Sequence, residues 1–421
     1  MIINPRISVI HSRIPFLKAD EKLLLILVVG MLEPRLEISR WNVLTDSAPQ
    51  LAKRLGFSKE LAFSCFRKLE ESGIVEAVFD QGRVGRPRKF RAVVPRSWDD
   101  GETLLRTRKS CLNAICFNLI ESRLMEPNSF PLKNSLLMLT LALLAESDDT
   151  GVVAQSSHSD LSKLTGIPKA QISRRLRQLK TAGVIAENIP GLLAGSFLGQ
   201  ANSIHYLNLE HPVLTGAGME SHPLPIKGRA IEQPEIDQIL KRRGAPGPDD
   251  RLSSAEKAAK EDPIPRKVSA ISPESWEENA GDALNHEPSK RYLQAAIERH
   301  AAKLIGNPLS IMPKGLWREQ QDVAANEFIE TLLGPAYSAA KVDSTHTRMF
   351  YRLCADLEEL AHHLADTCLK KRSELERTKR DSPDSHYRIL PSGHLKRPTL
   401  RLERVTHTNR YHHRQQLPPI P

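Results

Sequence analysis

The sequence predicts a mainly α-helical protein with small β-hairpins: two related N-terminal units, then a linker and an α-helical C-terminal region. Three observations carry this expectation: a gapless internal repeat, a change of composition near residue 211, and helical periodicity that returns near residue 276.

Residues 47–79, SAPQLAKRLGFSKELAFSCFRKLEESGIVEAVF, align with residues 157–189, SHSDLSKLTGIPKAQISRRLRQLKTAGVIAENI, at an offset of 110. Eight of the 33 positions are identical: Ser47/Ser157, Leu51/Leu161, Lys53/Lys163, Gly56/Gly166, Lys59/Lys169, Arg67/Arg177, Leu69/Leu179 and Gly73/Gly183. They fall where a chain reversal needs them. Gly56 and Gly166 end a short helix, where a residue at positive φ is least strained as glycine. Ser58 and Pro168 then open the next helix, as a capping residue and a first-turn proline. Gly73 and Gly183 close that helix, and the following GIVEAVF and GVIAENI read as strands. Each unit is preceded by an apolar helix, EKLLLILVVGML or LKNSLLMLTLALLA, and completed by a second strand candidate, RKFRAVV or SIHYLNL.

Helix, short strand, helix, turn, helix and hairpin is the order of a winged helix-turn-helix domain. The chain resembles the winged-helix DNA-binding superfamily, present twice, over roughly residues 14–95 and 111–210. The resemblance implies a fold that is mainly α with small β-hairpin wings. Winged-helix domain 1 is expected at residues 14–98, and domain 2, with its preceding helix, at residues 103–210. It also implies that the helix after the turn enters a major groove while the hairpin touches backbone or minor groove.

Residues 211–275 carry nine prolines and few aliphatics, a composition that cannot bury enough surface to offset its ordering entropy, so a disordered linker is expected. A helical domain is expected over 276–380. There Leu353, Leu357, Leu360 and Leu364 make one apolar face, which fits a small bundle and leaves contact with a second copy or another partner through residues 345–380 open. Residues 381–421 lack periodicity and read as a basic disordered tail. From Lys370 to Pro421 there are 13 Lys and Arg against five Asp and Glu, so +8 of the chain's net +10 lies at this end. Such a balance favours a polyanionic partner, because neutralising phosphates releases counterions.

In the second unit Ile172, Leu176 and Leu179 mark the core face of the helix after the turn. Arg174 and Arg177 fall on the opposite side, with Gln171 and Gln178 on its shoulder. Arginine pairs bidentately with guanine and glutamine with adenine, so this face carries base-reading chemistry. No acid occurs between Asp160 and Glu187, and Lys163, Lys169, Arg175 and Lys180 are candidates for phosphate contact. The first unit differs: its counterparts of Gln171, Arg174 and Arg175 are Leu61, Ser64 and Cys65, and an exposed Leu61 with Phe63 would suit a protein contact. Its hairpin, however, contains GRVGRPRKFR. Gly82 and Gly85 permit a tight turn, Pro87 stiffens the arm, and Arg83, Arg86, Arg88, Lys89 and Arg91 make it basic. The core VGRPRK resembles an AT-hook, departing at Val84 where that motif commonly has arginine. The likeness implies arginines directed into a narrow A·T-rich minor groove.

Catalytic patterns are missing: no GxxxxGK[ST] phosphate loop, HExxH zinc helix, GxSxG elbow or His-x-His arrangement occurs. Cys354, His362 and Cys368 on one helix would span about 20 Å, too far for one ion, and neither metal nor cofactor is expected. Five cysteines without a CxxC pair fit a reducing cytoplasm, and the apolar run Leu23–Leu32 is about half a bilayer span, so no membrane association is expected. The expectation is a non-enzymatic, nucleoid-associated protein that binds double-stranded DNA, as a transcriptional regulator or a replication or maintenance factor. In layout it is similar to plasmid initiators and to regulatory or replication proteins of integrative conjugative elements and pathogenicity islands. The alternative is an assembly adaptor whose winged helices bind protein and whose C-terminal helices recruit a partner such as a helicase.

Overall fold

The computed structural model describes residues 5–14, 16–31, 48–78, 89–92, 112–154, 156–192, 201–217, 219–226, 287–306, 357, 360–370, 386–390 and 400–407. The first unit runs α1 (Pro5–His11), α2 (Ala19–Met31), α3 (Ala48–Leu55), α4 (Lys59–Glu71), β1 (Val75–Val78) and β2 (Lys89–Ala92). The second runs α5 (Asn113–Met125), α6 (Asn134–Ala145), β3 (Val152–Val153), α7 (His158–Thr165), α8 (Lys169–Thr181), β4 (Ile185–Ile189) and β5 (Ile204–Leu207). After these come α9 (Pro212–Gly216), β6 (Met219–Ile226), α10 (Glu287–Gly306), α11 (360–370), β7 (His386–Leu390) and β8 (Leu400–His407). The described protein is mainly helical with small antiparallel sheets, ordered β1-β2, β3-β5-β4 and β6-β8-β7.

Two helices that are apolar on every side set the centre. Leu23 to Val28 of α2 and Leu137 to Leu144 of α6 are buried without interruption, which an amphipathic surface helix could not be. These helices pack on each other, and residues of both units contribute to one core.

The repeat survives in atomic detail. Gly56, Gly73, Gly166 and Gly183 all have positive φ, between 67° and 81°. Both second helices end in the same paired closure: Ile74 N–H donates to Leu69 O and Val184 N–H to Leu179 O, each at 2.9 Å. Gly73 and Gly183 N–H donate to the next carbonyl along, Glu70 O at 2.9 Å and Lys180 O at 3.0 Å. Ser58 caps α4, its Oγ accepting from Leu61 N–H at 3.2 Å. Pro168 differs from its expected place in the first turn. With ψ 134° it is still extended and occupies the cap position, so Lys169 is the first helical residue.

Each turn glycine is closed in by the other unit. A Cβ on Gly166 would lie 2.1 Å from Leu17 O, and a Cβ on Gly56 would lie 2.6 Å from Pro127 O. Buried Arg123 of α5 donates Nη2 to Gly56 O at 3.1 Å and to Asn134 Oδ1 at 3.3 Å. Arg13 reaches from the first unit to Asp160 of α7 at 3.3 Å. Fully buried Lys22 donates Nζ to Ile10 O at 3.2 Å, to Ser12 O at 2.6 Å and to Leu164 O, joining the exits of α1 and α7.

The C-terminal region departs from the expected linker and tail. Residues 212–216 are helical and 219–226 form β6, inside the stretch read as a disordered linker. Within the stretch read as a disordered tail, 386–390 and 400–407 are strands. Pro223 and Pro225 obscured β6, yet at period two on an edge strand both missing donors fall on one side. The tail strands were obscured by a buried charge pair. Arg388 and Glu403, at 3% and 1% side-chain exposure, interrupt the apolar alternation of Tyr387, Ile389, Leu402 and Val405. Among the expected helices of 276–380, α10 and α11 are described. Leu357, Leu360, Leu364 and Cys368 are buried in the same core as Leu293 and Ile297 of α10. That apolar face, offered by the sequence for self-association, is occupied within the chain; Leu353 lies outside the described residues.

Gly73 has open space where Gly166 has a backbone carbonyl. Gly73→Ala should therefore cost about 1–2 kcal/mol, the left-handed penalty alone, and Gly166→Ala distinctly more, read by urea unfolding. Equal losses would show that the turn does not dock as described.

Burial pushes the Lys22 ammonium down from its usual 10.5 to about 7. Between those values the unfolded chain holds more protons at this position, so its contribution to stability rises with pH across the window. Unfolding free energies of wild type and Lys22→Met should diverge in favour of wild type from pH 7 to 10; a constant difference would refute a depressed ionisation.

Candidate nucleic-acid interface

The seat of α8 is apolar: Ile172, Leu176 and Leu179 are buried, as their spacing predicts. Opposite them Lys169, Gln171, Arg174 and Arg177 are all exposed. Arg174 and Arg177 make no hydrogen bond or ion pair among the described residues, so their guanidinium forks point at solvent with all donors available. The flank is less open. Arg175 is half-buried and donates Nη1 to Gln178 Oε1 at 3.0 Å, which ties two of the expected contact residues to each other. Lys163 is exposed at the last turn of α7. That helix is fixed by a capping box in which Ser157 Oγ accepts from Asp160 N–H at 3.1 Å and Ser157 N–H donates to Asp160 Oδ2 at 3.2 Å; Ser157 Oγ also donates to Oδ2, at 2.6 Å. Burial opposes ionisation of Asp160, but these bonds with the Arg13 and Lys163 charges hold its carboxyl below its usual value.

The matching face of α4 is chemically different. Arg67 donates Nε to Glu71 Oε1 at 2.9 Å, and Lys68 Nζ stands 3.8 Å from the same carboxylate. The hydrogen bond from Arg67 is the main reason the Glu71 carboxyl is lowered. Leu61, expected to be exposed, is partly buried against the core, because its position borders the seat formed by Ala62, Cys65, Phe66 and Leu69. Phe63 is exposed, at 45%. Cys65 is buried, and burial pushes its thiol, like that of Cys116, up to about 12; neither is a thiolate at neutral pH.

The first hairpin is set by the register Val75↔Ala92 to Val78↔Lys89, which places Arg91 opposite Glu76. Lys89 and Arg91 thus stand on β2, while Arg83, Arg86 and Arg88 lie outside the described residues.

The second hairpin is covered on both sides. Val153, Ile185 and Leu207 of its sheet face the shared N-terminal core, whereas Val152, Ile189, Ile204 and Tyr206 face α10. Every residue of β5 is buried. Burial, with His158 nearby, pushes the His205 imidazole down to about 4, so it is neutral in the sheet. Arg388 on β7 locks the arrangement. Its Nε donates to Glu403 Oε2 at 2.7 Å, and its Nη1 to Leu207 O at 2.7 Å and Thr150 O at 3.2 Å. On the outer edge Glu187 receives Lys180 at 3.0 Å and Arg291 of α10 at 3.7 Å. The sequence missed this clamp because its parts are far apart in the chain and its central residues are charged.

Among the described residues no group of acids, histidines or cysteines could hold a metal ion, and no helix is long and apolar enough to cross a membrane. No protein-family model, curated protein or solved structure matches the chain.

Removing one partner of the clamp strands a charge. Arg388→Met should cost about 3–5 kcal/mol by taking the guanidinium from beside buried Glu403, and Arg388→Met with Glu403→Leu should recover most of that loss in urea titrations. No recovery in the double variant would mean that the backbone contacts of Arg388, and not the ion pair, dominate.

Proposed function

We propose that the chain is a double-stranded DNA-binding protein built from two winged-helix units, acting as a transcriptional regulator or as a replication or maintenance factor of a mobile genetic element in the nucleoid. The observation that carries this reading is the exposed face of α8, where Arg174 and Arg177 have no partner among the described residues while Arg67 at the equivalent place on α4 is held by Glu71. Arg174 and Arg177 read guanines, Gln171 reads adenine, and Lys169 and Lys163 hold phosphates. The basic stretch of residues 82–91, with Arg83, Arg86 and Arg88 and with Lys89 and Arg91 on β2, grips an adjacent minor groove or backbone. The net charge of +10 adds affinity independent of sequence.

One observation favours a second reading for α4 alone. Phe63 is exposed on a helix whose Arg67 and Lys68 lie against Glu71, which suits a protein surface such as that of a helicase or another assembly partner.

Selection of bound fragments from random duplexes should enrich a motif. On that motif Arg174→Ala and Arg177→Ala should each lose about 1–3 kcal/mol of specific binding. Lys169→Ala should weaken all duplexes alike and lower the salt slope by about 1. Measured by fluorescence anisotropy, an affinity unchanged between about 50 and 200 mM salt would overturn the DNA-binding reading.

A further inference from the structure

The contacts between the two units come in swapped pairs. Gly56 abuts Pro127 O and Gly166 abuts Leu17 O, and both 127 and 17, like 166 and 56, differ by the repeat offset of 110. Arg123 crosses to the turn glycine of the first unit, and Arg13, 110 positions earlier, crosses to α7 of the second. Helix α1 packs on α7, while its counterpart α5 packs on α3; α2 packs directly on its own counterpart α6. A contact set in which i meets j and j's equivalent meets i's equivalent belongs to a two-fold relation; a head-to-tail pair would present two different patches. The identities Ile10/Ile120, Ser12/Ser122 and Arg13/Arg123 extend the repeat into the docking segments themselves.

From this we infer that one chain is an internal dimer whose preferred duplex carries two half-sites in inverted orientation, only one of them read by base sequence. The inference rests on the DNA-binding reading above. An approximate two-fold maps α4 onto α8, and a duplex has two-fold axes of its own, so half-sites engaged by the pair are inverted. The exposed faces correspond residue by residue: Lys59, Phe63, Ser64 and Arg67 on α4 match Lys169, Ser173, Arg174 and Arg177 on α8, all exposed. Their chemistry does not correspond. The α8 face has free arginines, and the α4 face has a serine and an arginine paired with Glu71, so the second half-site is held with little base discrimination.

The test transplants the reading face. The variant Leu61→Gln with Ser64→Arg and Glu71→Thr gives α4 the residues of α8 and releases Arg67. Using the full chain, and duplexes built from the half-site that wild type selects, three arrangements are compared: single, inverted pair and direct pair. The variant should bind the inverted pair about tenfold or more tightly than the direct pair or the single half-site, whereas wild type is indifferent to bases in the second half. A preference for the direct pair, or equal affinity for all three in a variant with wild-type thermal unfolding, overturns the inference and leaves the DNA-binding reading standing. If the variant unfolds, hydroxyl-radical footprinting of wild type decides: protection mirrored about a centre sustains it, and protection of one half alone overturns it. A wild type that binds no duplex overturns both.

Discussion

Everything about the N-terminal half depends on how closely two glycine turns approach the opposite unit. At Gly166 a carbonyl of the α1–α2 connection occupies the space a Cβ would need, and at Gly56 a carbonyl of the α5–α6 connection does the same. Such approach is possible only without a side chain and only with the positive φ that glycine tolerates. Because each turn also launches a helix, α4 or α8, docking the turn fixes that helix in direction. Backbone carbonyls beside the two turns are then satisfied across the junction, Leu164 O by Lys22 on one side and Gly56 O by Arg123 on the other. Between them, α2 and α6 exclude water from the axis. Unlike two domains on a tether, which sample many relative orientations, units that share a core present α4 and α8 at one fixed relation.

Among the described residues, α10 and β7 hold the second unit. Covering the outer face of β3-β5-β4 with α10, and pinning Leu207 O and Thr150 O with Arg388, turns the second hairpin from a projecting arm into the middle layer of a sandwich. A clamped hairpin is a poor probe of a groove, whereas the helix it backs, α8, gains a rigid support. The asymmetry agrees with the charges: the second hairpin places Glu187 among Lys180 and Arg291, and the first carries GRVGRPRKFR.

How much of this was legible in the sequence follows from the range of each interaction. Helix ends closed by Gly73 and Gly183, the cap at Ser58 and the core stripe of Ile172, Leu176 and Leu179 are local, and local patterns recorded them. The docking of the units was not legible, because it rests on the close approach of the Leu17 and Pro127 carbonyls to Gly166 and Gly56, which no side-chain identity reports. The sheet β6-β8-β7 was hidden twice: its strands come from distant parts of the chain, and its proline and ion-pair positions mimic a linker and a basic tail. Within the candidate site, helical periodicity put Arg174 and Arg177 on the face opposite the core, where both are exposed, but it could not show that Arg175 bonds to Gln178 or that Leu61 turns toward the core.

The deeper consequence concerns what duplication makes possible. A symmetric homodimer must keep the same reading helix at both half-sites, since one gene supplies both. A fused pair is free of that constraint: the second helix needs only to preserve the seat that maintains the junction. The seat is what α4 preserves, with Ala62, Phe66 and Leu69 buried like Ile172, Leu176 and Leu179. On the outer face, Glu71 stands where α8 has Thr181, and one carboxylate is enough to engage Arg67 and draw Lys68 near. The cost of this neutralisation to stability is negligible, because an exposed i,i+4 pair contributes only a few tenths of a kcal/mol either way. On the DNA-binding reading proposed above, its effect on binding would be larger, because an arginine already bonded to a carboxylate offers a base edge fewer free donors and brings a negative charge toward the phosphates. In a DNA-binding protein of the proposed kind, specificity can thus be redistributed between the halves by exposed residues alone, with the fold left untouched.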